Sequence, residues 1–289
     1  STAYKVHPYK WPVIGIMKTV KEGDKKKIVG DVDNVTVEIA QNFHRTYYAP
    51  NNAVVVVAGD FKSEEAKKLI EKYYGAIKSQ PIPKKNRPAE PTQTSPRSQF
   101  LAKDVQNVQF VVSHHTPKAG TDEVYALDLL ANVMGAGPSS RLYQRLVYKD
   151  QIATSATAYN LTMQEGGLFE VMVSLKPGSD FRRAERAIRG ELWRPRNLVV
   201  SEEELQKAKN QVMKSYVDGL KTIHGKAEAL ALNEILFDDY EQLFKDLDRY
   251  NKVTADQIKK VAAKYLGSEH STLVMLRPGP GSQKSKRGR

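Results

Sequence analysis

The sequence predicts an α+β fold in which helices cover an antiparallel sheet. Strand-like and helical stretches follow one another irregularly along the 289 residues, not in strict βαβ repeats. Apolar residues make up 40% and charged residues 27% of the chain, as in globular proteins. Residues 79–98 contain five prolines and almost nothing apolar, so they form a semi-rigid linker. We therefore predict one complete domain that is preceded by the end of another.

The unit before the linker, residues 1–78, contains few elements. Residues 1–32 are predicted to be irregular because prolines and glycines interrupt them. A helix begins at Thr36, and the run AVVVVA at 53–58 predicts a buried strand. Ser63 is predicted to cap the next helix. A single buried strand needs neighbours on both sides, so the sheet partners of this unit are expected elsewhere, in another part of the protein or in another chain.

The unit after the linker, residues 99–278, has enough elements for a complete domain. Its predicted strands span 107–114, 153–161, 168–175 and 271–276. A helix over 121–134 precedes one that begins at Ser139 or Ser140, and four further helical segments fill the stretch between the last two strands. Two capping-box spacings support these helices: Ser201 with Glu204 and Thr254 with Gln257. Residues 279–289 form a basic tail.

Composition limits the classes of partner and chemistry. The absence of cysteine excludes disulfides, thiolate zinc sites and a cysteine nucleophile. No apolar run approaches 18 residues, so no membrane span is predicted. The net charge of +12 raises the possibility of nucleic-acid binding. Much of the excess charge lies in 84–87 and 284–289, which are typical of solvated linkers and tails, and no nucleic-acid-binding signature occurs. We therefore expect no nucleic acid as a partner.

Three segments of the chain form a recognisable set. They are HPYKWP at 7–12 with Ile14-Gly15, YYAPNNA at 47–53 with the following valines and Gly59-Asp60, and GPSSRLYQ at 137–144 with Gln151-Ile152-Ala153. Together they are similar to the M16 family of zinc peptidases, the pitrilysin and insulinase type, which are inverzincins. The Tyr-Ala-Pro-Asn-Asn element and the Gly-x-Ser-Ser-Arg-Leu element are specific as a pair, although each alone is weak. The resemblance extends over nearly the whole chain, apart from the linker, the tail and an apparent insertion near residues 18–31.

The resemblance implies subunits of two similar α+β domains, which close in pairs around a peptide like a clamshell. In this family two histidines of an H-x-x-E-H motif and a downstream glutamate hold zinc, and the glutamate of the motif polarises the zinc-bound water. Substrate chains often add to a sheet edge. The resemblance thus implies a peptide or small-protein substrate and a dimer or heterodimer with another M16 subunit.

None of the six histidines begins an H-x-x-E-H motif. By the resemblance, all three zinc ligands lie upstream of residue 1, so we expect a fragment that binds no zinc, derived from a parent protein that does. His114 and His115 are adjacent on a predicted strand and point to opposite faces, so they cannot easily share a metal. The sequence therefore assigns neither catalytic nor metal-binding residues to this chain.

The family's second domain often supplies an arginine and, seven positions later, a tyrosine that stabilise the developing oxyanion. The aligned positions here hold Val147 and Thr154, which cannot perform that role. Arg141 and Tyr148 have the same spacing but lie too early, on one predicted helix. With Tyr143, they are the candidates to line a substrate cavity. Arg141 has a second interpretation, in which it anchors the start of a helix through carbonyl or carboxylate contacts.

These features predict a fragment of a zinc-dependent endopeptidase subunit that cleaves peptides within a clamshell chamber by metal-activated water and is inactive alone. The alternative is a non-catalytic M16 homologue that acts as a binding or structural partner subunit. Sequence upstream discriminates the two, because only the first carries H-x-x-E-H there. Bacterial two-subunit relatives are often exported, so the resemblance implies a periplasmic location, with the cytoplasm as the alternative.

Overall fold

The computed structural model describes residues 2–22 and 25–279. Its first region, residues 17–78, contains an antiparallel pair of strands followed by two helices, namely β1 (Met17–Glu22), β2 (Lys25–Gly30), α1 (Val37–Tyr47) and α2 (Ser63–Tyr74). The prediction that residues 1–32 are irregular is therefore wrong for this hairpin. Among the described residues its two strands pair with each other alone, so the ladder between them hydrogen-bonds their inward backbone groups and not their outward ones.

Of the two helix N-caps predicted for the first region, the structure has one. Thr36 caps α1 as predicted, since its Oγ1 accepts a hydrogen bond from the Ile39 amide at 3.2 Å. Ser63 is not a cap. It is the first helical residue of α2, Lys62 takes the cap position, and no side chain closes this helix start.

Residues 53–58 form no strand, although their β-branched run predicts one. A strand requires hydrogen bonds to a neighbouring strand, and none of the described residues supplies them. The side chains of Val54, Val55 and Val57 are between 44% and 63% exposed. This arrangement agrees with the inference that the first unit lacks its sheet partners.

The main body of the protein is a five-stranded sheet. Its strands are β3 (Arg97–Lys103), β4 (Gln109–Thr116), β5 (Ala153–Leu161), β6 (Gly167–Leu175) and β7 (Ser271–Pro278). They lie in the order β3-β7-β4-β6-β5, and every neighbouring pair is antiparallel except β3 with β7, which is parallel. The predicted α+β class is confirmed, with a mixed sheet in place of a fully antiparallel one. β3 begins inside the segment predicted as linker, and the domain boundaries stay a prediction.

Helices cover one face of this sheet. They are α3 (Asp122–Gly135), α4 (Phe181–Asn197), α5 (Glu202–Gly219), α6 (Ile223–Phe237), α7 (Gln242–Lys252) and α8 (Ala255–Tyr265), with a π-helical segment at Tyr143–Lys149. Five helices therefore separate β6 from β7, not the predicted four. Asp238 ends α6 in a left-handed conformation and so divides a stretch whose apolar pattern is nearly continuous. Both predicted capping boxes are present.

The core lies between the sheet and α3, α4 and α8. Leu127, Leu129 and Leu130 of α3 are fully buried, as is Phe169 of β6. The end of α3 touches β5 so closely that a Cβ on Gly135 would lie 1.8 Å from the backbone nitrogen of Ala158. The helices therefore occupy one face, while the opposite face of the sheet, called the open face below, is left for other contacts.

Candidate functional site

Residues 2–10, called the strap below, extend along one end of the five-stranded sheet. Glu90 holds the strap because its carboxylate accepts backbone hydrogen bonds from Lys5 at 2.7 Å, Val6 at 2.8 Å and His7 at 2.9 Å. Partial burial favours the neutral acid, but the three amides outweigh it and hold the pKa of Glu90 below its ordinary value. The ionised carboxylate thus fixes the segment that carries the first M16-like motif.

Aromatic packing completes the attachment of the strap. The rings of Tyr4 and His115 meet edge to face at 4.7 Å between centroids, and the Tyr4 hydroxyl donates to the Gly166 carbonyl at 3.1 Å. The Ala3 carbonyl accepts from Arg97 at 2.8 Å. Burial raises the pKa of the Tyr4 phenol, so it remains a hydrogen-bond donor at neutral pH.

The open face carries a row of polar residues across all five strands. The strand register aligns Arg97, Thr272, Ser113, Glu170 and Tyr159 from one edge to the other. Glu170 accepts hydrogen bonds from the Ser113 hydroxyl at 2.8 Å and from the Tyr159 hydroxyl. Burial and the neighbouring carboxylate raise the pKa of Tyr159, which keeps the phenol protonated. Thr272 and Ser113 are buried, so the end of the row at Glu170 and Tyr159 is the part that can contact a chain beside the sheet.

This row ends at an exposed edge. Among the described residues β5 pairs only with β6, so β5 is an edge strand of the sheet, and the end of α3 packs against its backbone near Ala158. Ala153, Ala156 and Ala158 of β5 are buried, whereas Thr157 and Tyr159 between and beyond them are exposed. An exposed edge of this kind can accept an extended peptide as a further strand.

The structure places Arg141 and Tyr148 in one charged groove. Arg141 donates to both carboxylate oxygens of Glu204 at 2.7 Å, and Glu204 belongs to the capping box at the start of α5. The hydrogen bonds from Arg141 are the main cause of the lowered pKa of Glu204, while partial burial opposes them. Tyr148 is 72% exposed, and Tyr143 lies outside the groove. The anchoring role considered for Arg141 matches this geometry, whereas a substrate role for the three residues stays a prediction.

The two positions that align with the family's Arg and Tyr take structural roles. Val147 packs against the core, and the Thr154 hydroxyl donates to the Ser174 carbonyl at 3.2 Å. Sequence reasoning missed Glu170, although an acidic residue amid the apolar run of a predicted strand is a signal for a partnered polar site. Its partners become visible only through the strand register.

The described residues do not fit a zinc site. In residues 2–22 and 25–279, no three His, Asp or Glu side chains lie close enough together to hold a metal ion. His114 lies in the cleft beneath α4, whereas His115 contacts the strap on the other face, as their adjacent positions on a strand predict. Over the same residues, none of the helices combines the length and the apolar character of a bilayer-crossing segment.

Comparison with known proteins relates this geometry to a family. The model of the peptidase M16 inactive domain matches residues 34–212. The zinc protease PqqE of Helicobacter pylori is 28% identical over 288 residues, which cover 96% of this chain and 60% of the relative. The chain thus spans about 60% of the length of this relative.

Solved structures share the fold. The crystal structure of a protease from Helicobacter pylori superposes with a TM-score of 0.80 at 26% identity and covers 86% of this chain and 60% of that one. A peptidase M16 inactive domain from Pseudomonas fluorescens gives a TM-score of 0.71 at 16% identity, with 85% of this chain and 58% of that one covered. The second likeness concerns the fold alone.

Proposed function

The chain belongs to the M16 peptidase family, and from this premise we propose that it forms the peptide-binding, non-catalytic part of a zinc-dependent endopeptidase. The zinc ion and the water that it activates belong, in this proposal, to the remaining part of the whole protein or to a partner M16 subunit. The name of the zinc protease from Helicobacter pylori supports the reaction class. The periplasmic location remains part of the same proposal.

The observation that carries this proposal is the polar row of the open face beside the exposed edge of β5. A peptide that adds to β5 obtains its affinity from backbone hydrogen bonds, which every sequence can make. Glu170 and the Tyr159 hydroxyl lie at that edge and contact groups that protrude from the added strand. Such a surface holds extended chains with little demand on their sequence.

The first region indicates that this chain works within a larger assembly. Phe43, Val55 and Leu69 are 57%, 63% and 53% exposed. Apolar patches that large are unusual on a free surface, and they mark places where another body packs. In our proposal the rest of the whole protein, or a partner M16 subunit, supplies the strands that pair with residues 53–58.

A peptide-binding assay tests the proposal. We expect an extended model peptide to bind the 289-residue chain, and the same peptide with alternate backbone amides N-methylated to bind at least about tenfold more weakly, because methylation removes the donors needed for strand addition. Tyr159→Phe and Glu170→Gln should also weaken binding. Tyr240→Phe is the matched control, because Tyr240 is an exposed tyrosine between α6 and α7, outside both candidate surfaces. Equal affinities for the two peptides would overturn the proposed surface.

The second candidate function is a non-catalytic M16 subunit whose whole protein carries no zinc motif. The exposed apolar surface of the first region fits either reading, because both require a partner body. Elemental analysis separates them. We expect close to no zinc in this chain and about one zinc per molecule in the whole protein. Absence of zinc from the whole protein selects the non-catalytic subunit, and one zinc in this chain alone contradicts both.

A further inference from the structure

A cavity lies on the helix-covered side of the sheet, away from the open face. It is a cleft of about 240 Å³ between α4 and the paired strands β4 and β7. At about 30 Å³ for each water molecule in the liquid, this volume equals roughly eight waters, so its occupant is small. Most of the wall is apolar and consists of Val112, Ile188, Leu192, Leu266 and Leu273, and Trp193 lies at the rim.

Two polar groups in this apolar wall have no partner. His114 is 2% exposed, and its Nδ1 makes no hydrogen bond with any described residue. The Nε of Arg196 is likewise buried without a hydrogen-bond acceptor, and the Glu269 carboxylate interacts with Arg196 only electrostatically, without a direct contact. Native proteins pair more than nine-tenths of their buried polar groups. Two orphaned nitrogens lining one cleft therefore point to a ligand that brings the missing acceptor.

The neighbouring charges define what the ligand carries. Arg189, about two turns earlier on α4, lines the same cleft but is paired with Glu185 at 2.8 Å. Among the described residues of the wall, Arg196 is thus the cation without a directly bonded carboxylate. A guanidinium stays charged and presents a planar fork of donors that matches a carboxylate.

We propose that this cleft binds a small apolar group that bears a carboxylate, which Arg196 and His114 hold while the apolar wall buries the remainder. Burial is the main cause of the low pKa of His114, about 3, so its imidazole is neutral and offers one N–H donor. Hydrogen bonds from a guanidinium to a carboxylate are among the strongest in proteins. Two sources share this chemistry: the C-terminal residue of a peptide and a short fatty acid.

Trp193 supplies the readout for a binding test on the full 289-residue chain. The chain has two tryptophans, so Trp11→Phe leaves Trp193 as the single fluorophore. Octanoate represents the fatty acid, and N-acetyl-leucine represents a peptide C-terminus. Octanamide and N-acetyl-leucinamide are the neutral counterparts. We expect saturable fluorescence changes with at least one carboxylate, and affinity at least about tenfold weaker for its amide, since a charged hydrogen-bonded pair is lost. The carboxylate that binds more tightly identifies the source.

Arg196→Gln should reduce the affinity for the carboxylate at least about tenfold. Arg194→Gln is the control, because it removes the same charge from the same helix, while the Arg194 side chain lies outside the cleft and faces Glu191 at 3.8 Å. Thermal unfolding verifies that both variants fold. Equal losses in the two variants, equal affinity for acids and amides, or no saturable signal would each overturn the proposal. The assay needs neither zinc nor a partner, so its outcome is independent of the function proposed above.

Discussion

The helices of the first region and of the five-stranded domain differ in both composition and burial: α1 and α2 each have one apolar stripe, whereas α3 is apolar on nearly every side. In α1 and α2, every residue is at least partly exposed, whereas α3 buries ten of its fourteen residues. Their neighbours differ as well: α3 packs against β5, while α1 and α2 flank a valine run that has no paired strand among the described residues. An apolar pattern is therefore enough to predict a helix, but burial requires a sheet.

Replacement of one phenylalanine in each region gives the largest expected contrast. Phe169 is fully buried, so Phe169→Ala should lower the free energy of unfolding by about 3–5 kcal/mol. Phe43 is 57% exposed, and Phe43→Ala should change the free energy of unfolding by no more than about 0.5 kcal/mol. Chemical denaturation of the two variants measures both values. A large loss for Phe43→Ala would mean that another body already covers the first region in solution.

Two glycines sharpen the comparison within the folded domain. A Cβ on Gly135 meets the backbone of β5, so Gly135→Ala should destabilise the fold by about 1–3 kcal/mol. Gly190 of α4 has open space around its Cβ position, so Gly190→Ala should stabilise the protein by up to about 1 kcal/mol through helix propensity. Shifts of the midpoint of thermal unfolding in opposite directions are the expected result, and a shared direction would contradict the close packing of α3 on β5.

Loss of an ion pair should also cost more stability in the five-stranded domain than in the first region. Arg141→Gln breaks a bidentate, largely buried contact to Glu204 and should cost about 1 kcal/mol. Glu65→Gln breaks the exposed pair with Lys62 and should cost less than about 0.5 kcal/mol. Unfolding at low and high salt checks both values. Equal costs would mean that the contact to α5 contributes no more than a surface pair.

The smallest expected effect is the pH response of the strap. The pKa of Glu90 is lowered in the folded state, so its stabilisation is complete above the pKa of the free acid and is lost as the pH falls through the folded value. We expect the amides of Lys5, Val6 and His7 to lose protection from hydrogen exchange below about pH 4.3, while amides in α3 keep theirs. In Glu90→Gln these three amides should be poorly protected at every pH. If these three amides stay protected in acid, Glu90 is not the group that holds the strap.

The sequence predicted local features better than long-range ones. The strand at 153–161 and both capping boxes are where their patterns place them, because each depends on residues that are near in the chain. The first two residues of β3 were predicted as linker and the remainder was assigned no strand, because its partner, β7, lies at the far end of the chain. The row around Glu170 was missed for the same reason, since five strands contribute to it. The anchoring interpretation of Arg141 included a carboxylate contact, but the partner, Glu204, lies 63 residues away and was not identified from the sequence.

The parallel pairing of β3 with β7 has a consequence for biosynthesis. Arg97 pairs with Thr272, so β3 leaves the ribosome long before its neighbour has been translated. Until then its backbone donors and acceptors are unsatisfied and can pair with other nascent chains. The charged side chains Arg97 and Lys103 at its two ends oppose such contacts. Slowing translation of the final strand should therefore lower the soluble yield more than slowing translation of α3.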